Sequence, residues 1–180
     1  VLDREVSCFR NYNTPDNPKN VNLLTWLCSD KHKDVVLTIR SLQEKSERDR
    51  LKATLPAITP SGIFSRRAQD ALLQHSGFIQ FDIDMKDNRH IENYNALQQE
   101  VSKVGNVAYF GRSVSGTGYW GLVPIAYPEK HRQHFDLLAN VFEEAGIIID
   151  RAPSNVSSLR GYSHDPDAYF NHQAVPLKAY

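Results

Sequence analysis

Apolar positions recur along this chain with two periods, close to two and close to 3.6, and the alternation between them predicts the order of its elements. Near the start, Val6 to Phe9 reads as a short strand. Leu23, Leu24 and Leu27 follow at helical spacing behind Asn20 and Asn22, polar residues of the kind that cap helices. Val35, Val36, Ile39 and Leu42 repeat that spacing, so the first third of the chain is predicted to be mostly helical. The charged run Glu44 to Lys52, EKSERDRLK, continues it as a solvated helix face. Two prolines and a glycine in Leu55 to Arg67 predict an extended turn, leading to a short helix that ends near Gly77.

The clearest strand is Gly77 to Asp84, GFIQFDID. Turn residues Asp87 and Asn88 then introduce a helix with Ile91, Tyr94, Leu97, Val101 and Val104 on one face and a stop at Gly105. Val107 to Arg112 and Tyr119 to Val123 read as a hairpin joined by SVSGTG. A further helix, starting near Pro128 and stopping at Gly146, carries Phe135, Leu138, Phe142 and Ala145 on one stripe. It hands over to an apolar strand, Ile147 to Ile149, that ends in Asp150. The order strand, helix, hairpin, helix, strand predicts an α/β domain of the α+β kind, its sheet mixed or antiparallel with helices mainly on one face.

At 180 residues, with 41% hydrophobic and 23% charged, the chain has the composition of one folded unit spanning residues 1–180. It begins without Met and is patterned to both ends, as expected of a domain excised from a longer polypeptide. Lys and Arg total 21 and Asp and Glu total 21, so the whole-molecule field draws no polyanion and any such contact needs a local patch. Arg66 with Arg67, and Lys31 to Lys33, are the candidates. Cys8 and Cys28 form no Cys-x-x-Cys pair and read as reduced structural thiols. With no signal-like or membrane-spanning apolar run, a cytoplasmic location is expected. His131 and His134 fall off the apolar stripe of their helix and read as surface residues.

Asp82 and Asp84 lie two apart on a strand, so both side chains leave one face while Phe81 and Ile83 leave the other. Paired carboxylates repel unless a cation neutralises them, and Mg2+ or Mn2+ would suit such oxygen ligands. The alternative is that both merely cap the turn into the next helix. Asp150 ends a second strand, where a third acid either joins the first two across the sheet or serves the turn before Ala152 and Pro153. The loop Ser113 to Gly118 offers backbone N–H groups that a phosphate can approach closely, and is equally readable as a plain hairpin turn. Arg112 and Arg160 are candidate phosphate partners or ordinary surface arginines.

The strings LPAITPSGIF, HSGFIQFDIDMKDN, SVSGTGYWGLVPI and IIIDRAPSNVSSLRGYSHDPDAYFN closely resemble the VirE N-terminal domain family of Bacteroides-type mobile-element proteins. That family looks like a divergent branch of the archaeo-eukaryotic primase and primase-polymerase superfamily. The resemblance implies an RRM-like core carrying three motifs in order. Asp82, Asp84 and Asp150 would be the catalytic metal ligands, with Mg2+ or Mn2+ as cofactor. Ser113, Ser115, Gly116, Thr117 and Gly118 would form the nucleotide-binding turn with Arg112. The superfamily histidine after that turn is replaced by Trp120, for which base stacking is the expected role. Arg160 would replace the lost phosphate contact, with His164 in the same segment. The implied activity is DNA-directed nucleotidyl transfer during mobile-element replication. Its partners would be nucleotides, a single-stranded nucleic acid and a C-terminal helicase-like region of the same polypeptide. Two alternatives stay open: a catalytically inactive nucleic-acid-binding module, and a metal-dependent nuclease.

Overall fold

The computed structural model describes residues 1–180. Its centre is an antiparallel sheet built on β6 (Phe78–Ile83), β7 (Tyr109–Arg112) and β8 (Tyr119–Pro124), with the short β10 (Tyr169–Phe170) outside β7. β6 pairs with β8 from Phe78 opposite Pro124 to Ile83 opposite Tyr119, and β7 and β8 form the expected hairpin. On the free edge of β6, Asp150 forms a single antiparallel bridge to Asp82. The spatial order is therefore β7, β8, β6 and then the Asp150 segment, with α4 (Leu97–Val101) and α5 (His131–Glu144) as the two crossovers. The order is β-α-β-β-α followed by a single edge bridge in place of a last strand, and the chain is α+β as its patterning predicts.

The period of two decides the layers. Ile79, Phe81 and Ile83 face α4 and α5, packing with Leu97, Val101, Phe135, Leu138 and Phe142. Gly121 lies against Phe81, where an added Cβ would fall 2.5 Å from Cζ. Phe78, Trp120 and Leu122 face the other way, onto Leu2, Val6, Leu23 and Ile58. Val6 and Ile58 belong to a second antiparallel sheet of β1 (Glu5–Phe9), β2 (Lys19–Asn22), β3 (Ala57–Thr59) and β9 (Arg160–Gly161), in the order β2-β1-β3-β9, with Leu2 just before it and Leu23 at the start of the first helix. Three helices accompany it: α1 (Leu23–Cys28), α2 (Lys33–Ser41) and α3 (Lys45–Lys52). Asn22 caps α1 by accepting the Thr25 N–H, as its place before the leucines predicts.

Several expectations are corrected. No helix ends near Gly77: the segment folds as a hairpin of β4 (Gly62–Phe64) and β5 (Leu72–His75), with one turn at Gln69–Ala71 between the two strands. Gly62 permits this pairing, because a Cβ there would sit 2.4 Å from the Gln74 carbonyl oxygen. The helix after Asn88 is short. Ile91, Tyr94, Leu97, Val101 and Val104 still all face the core, but Tyr94 spends its hydroxyl on the Ile83 carbonyl at 2.7 Å and only Leu97–Val101 is α-helical.

Helix α5 stops where predicted. Gly146 adopts φ +82°, Gly146 N–H donates to Glu143 and Ile147 N–H to Phe142, a Schellman cap. Ile147 to Ile149 do not form a strand, because the buried Asn88 side chain takes both backbone groups of Ile148.

The histidines of α5 are not surface residues. His134 is fully buried, its Nδ1 on the Lys130 carbonyl and its Nε2 accepting Ala179 N–H from the C-terminal segment. His131 Nδ1 lies 2.9 Å from His75 Nε2. Burial, and for His131 the neighbouring His75 and His134, push both members of that pair down to about 4. Cys8 and Cys28 are unpaired. No helix is long and apolar enough to cross a membrane.

Candidate functional site

β6 delivers Asp82 to the face that meets the second sheet, directly opposite Trp120 on β8. The Asp150 N–H donates to the Asp82 carbonyl at 3.0 Å, so these two acids are neighbours across adjoining backbone. Asp84 stands one residue beyond β6 at the same end. Its carboxylate caps nothing in the following turn, which removes the capping alternative for this residue. Burial raises its pKa above the ordinary carboxylate value, and the charges of Asp82 and Asp150 add to the rise, with Lys86 at 3.8 Å opposing it. Asp150 does serve its turn: Oδ1 accepts the Ala152 N–H at 3.0 Å.

Asn88 sets the spacing of these acids. Its amide donates to the Asp84 and Ile148 carbonyls and accepts Ile148 N–H at 2.8 Å, tying the end of β6 to the segment that leads into Asp150. In the sequence it showed only as a turn residue.

The partner of Asp82 is an arginine. Arg160, carried on β9 at the edge of the second sheet, donates from Nη2 to Asp82 Oδ2 at 2.6 Å and from Nε to Gln80 Oε1 at 3.0 Å. The two side chains are 13% and 18% exposed, so the pair is largely desolvated. Burial alone would lower the Arg160 pKa; the charge and hydrogen bond of Asp82 carry it above its ordinary value instead. The guanidinium lies 4.8 Å over the Trp120 ring. Both residues depart from expectation here. Trp120 is 1% exposed and offers no face to a base, and Arg160 is committed to a carboxylate rather than free for a phosphate.

The Ser113–Gly118 loop is stitched from within. Gly116 N–H donates to Ser113 O, Gly118 N–H to Ser113 Oγ, and Ser115 Oγ lies 3.0 Å from Thr117 Oγ1. No protein acceptor takes the amides of Ser115 and Thr117. Two guanidiniums hold the loop. Arg40 of α2 donates to the carbonyls of Ser113 and His164, and Arg112 donates to that of Gly116 at 3.1 Å. Arg112 also stacks 5.2 Å over Tyr119, on the helix-side face, so it leaves the sheet away from Asp82. His164 contributes its carbonyl, and Asp165 beside it accepts Arg112 N–H. Gly118 needs its bare Cα, since a Cβ would sit 3.2 Å from both Asp84 Oδ1 and Ser113 Oγ.

Oxygen donors of this kind suit Mg2+ or Mn2+, but as folded they do not fit a shared ion. Arg160 occupies Asp82, Asp150 caps its turn, and no three acidic, histidine or cysteine groups converge on one point. Members of the suggested polyanion patches make local contacts. Arg66 pairs with Asp70, Arg67 binds the Tyr12 carbonyl, and Lys33 pairs with Asp30.

Residues 50–170, which hold every element of this site except Arg40, match the family described as BT4734-like, N-terminal domain. The chain belongs to that family. No curated protein and no solved structure matches it. Sequence reasoning singled out the acids and the loop of this BT4734-like chain but not Arg40, Gln80, Asn88 and Asp165, the side chains that hold them.

Proposed function

We propose that this BT4734-like domain is related to the VirE N-terminal and primase-polymerase domains, and that it binds nucleotide phosphates at the Ser113–Gly118 loop. The observation that carries this reading is the loop's construction. Arg40 and Arg112 concentrate positive charge around it while the amides of Ser115 and Thr117 remain without protein acceptors, a combination that favours an anion. The ion pair between Arg160 and Asp82 favours binding over turnover, because it fills the place a catalytic cation would need. On this reading the domain engages single-stranded nucleic acid and delivers an attached helicase-like region to it.

Nucleotidyl transfer is the second reading. It is favoured by Asp150 lying beside Asp82 with Asp84 at the same strand end, an order that matches the superfamily motifs. As folded the acids fit no shared cation, so this reading requires Asp82 to leave Arg160. Titration calorimetry with a nucleoside triphosphate, with and without manganese, tests the first reading, and absence of nucleotide binding overturns it. A primer-extension assay on wild type, Asp82→Ala and Asp84→Asn tests the second. Manganese-dependent extension lost in both variants establishes transfer, degradation of the primer establishes a nuclease, and binding without turnover leaves the module.

A further inference from the structure

Helix α3 places Lys45, Arg48, Asp49 and Lys52 at i, i+3, i+4 and i+7, a single stripe along its length. That stripe lines one wall of a groove of about 590 Å³, whose other wall holds Ser115, Thr117 and Asp84. Counting Arg40 and Lys86, five basic side chains face two acidic ones. In a chain whose net charge is zero, this is a local excess of the kind a polyanion requires.

Compensation within the groove is weak. Lys45 pairs with Asp49, but the two are 80% and 48% exposed, where such pairs contribute little. Arg48 is positioned rather than neutralised, since its Nη1 donates to the uncharged carbonyls of Leu42 and Gln43. Lys86 lies 3.8 Å from Asp84, also as an exposed pair, so the two acids of the groove leave three of its five cations without an acidic partner. The groove rim also carries Met85, an adaptable apolar side chain that is 43% exposed. A line of cations about 10 Å long from Lys45 to Lys52, beside an exposed thioether, suits a chain of phosphates with bases attached better than one small anion.

We propose that this groove is the track of a single-stranded nucleic acid, gripped through its phosphates by Lys45, Arg48 and Lys52 and led past Asp84. The assignment rests on the nucleotide-handling reading above and adds to it the strand's path. The groove straddles the start of the family match at residue 50, with Lys45 and Arg48 before it and Lys52 and Asp84 within it.

The test is fluorescence anisotropy of a labelled oligothymidylate against the whole chain, across salt from about 50 to 200 mM. Three phosphate contacts give a slope of log K on log salt near −2, about −0.7 for each contact. Lys45→Gln with Lys52→Gln reduces that slope to about −0.7 and weakens binding about tenfold or more. Lys103→Gln with Arg132→Gln, on other surfaces, leaves both unchanged. Circular dichroism melting confirms that each variant folds, and Lys45→Glu alone serves if the double variant does not. Wild-type affinity for the strand in the double variant overturns the track, as does salt-independent binding by the native chain. Calorimetry with nucleotide and manganese runs in parallel. Retained nucleotide binding without strand binding overturns the track alone. Loss of nucleotide affinity in the lysine variant, with strand binding intact, overturns it by giving the groove to the nucleotide. If the native chain binds neither, both proposals fall.

Discussion

The two faces of β6 are held by different physics. On one, Ile79, Phe81 and Ile83 meet α4 and α5 in a layer of aliphatic and aromatic carbon, where stability follows from area removed from water. On the other, Phe78 packs against apolar neighbours, but Gln80 and Asp82 reach polar partners: Ser158 O, Arg160 and, through Arg160, the Trp120 ring. Carbon against carbon tolerates a change of partner. A desolvated charge tolerates only its own counter-ion.

The largest effects should come from breaking each face at its centre. Arg160→Ala strands Asp82 in a poorly solvated site and should destabilise the chain by about 3–5 kcal/mol. Replacing the pair together, Asp82→Leu with Arg160→Met, should recover most of that loss in urea melts. Phe81→Ala should cost a similar amount, about 3–5 kcal/mol, with no rescue by any change at Asp82 and no dependence on salt. A salt-insensitive loss in Arg160→Ala with no rescue by the double replacement would erase the distinction between the faces.

Asn88→Ala should cost about 1–3 kcal/mol, because it removes a buried side chain that satisfies both part-buried backbone groups of Ile148 and the Asp84 carbonyl. Amide exchange at Ile148 and Asp150 should rise more than at β8, which marks a local rather than a global loosening. The smallest effect should be opposite in sign. A carboxyl whose folded pKa is raised favours the fold while protonated, and that contribution disappears as pH climbs through the raised pKa. Asp84→Asn removes the repulsion and should raise Tm near neutral pH by about 1–2 °C, with the gain vanishing in acid. A drop in Tm would show that Asp84 already has a favourable counter-charge.

Local patterning made much of the fold legible. The period of two in GFIQFDID located β6 and separated its faces, Gly146 stopped α5, and SVSGTG closed the β7–β8 hairpin. What stayed hidden depends on residues distant in the chain. Nothing near Asp82 announces an arginine 78 residues away. Nothing near Ile148 indicates that Asn88, 60 residues earlier, replaces the ladder its apolar run predicts. His134 looks polar and peripheral until Ala179 covers it. The charged run in α3 is solvated as expected, yet its use depends on the loop that faces it across the groove. In the site itself, the acids and the glycine-rich loop were readable because their spacing is local, whereas Arg160 and Trp120 were assigned to ligands that their burial withholds.

Arg160 comes from β9, two residues that pair with β3 and follow β6, β7 and β8 in the chain. During synthesis, then, Asp82 emerges from the ribosome before its counter-ion, which follows 78 residues later. The ionic face is thus closed by a contact of long sequence separation, whose loop-closure entropy must be met before the pair can contribute.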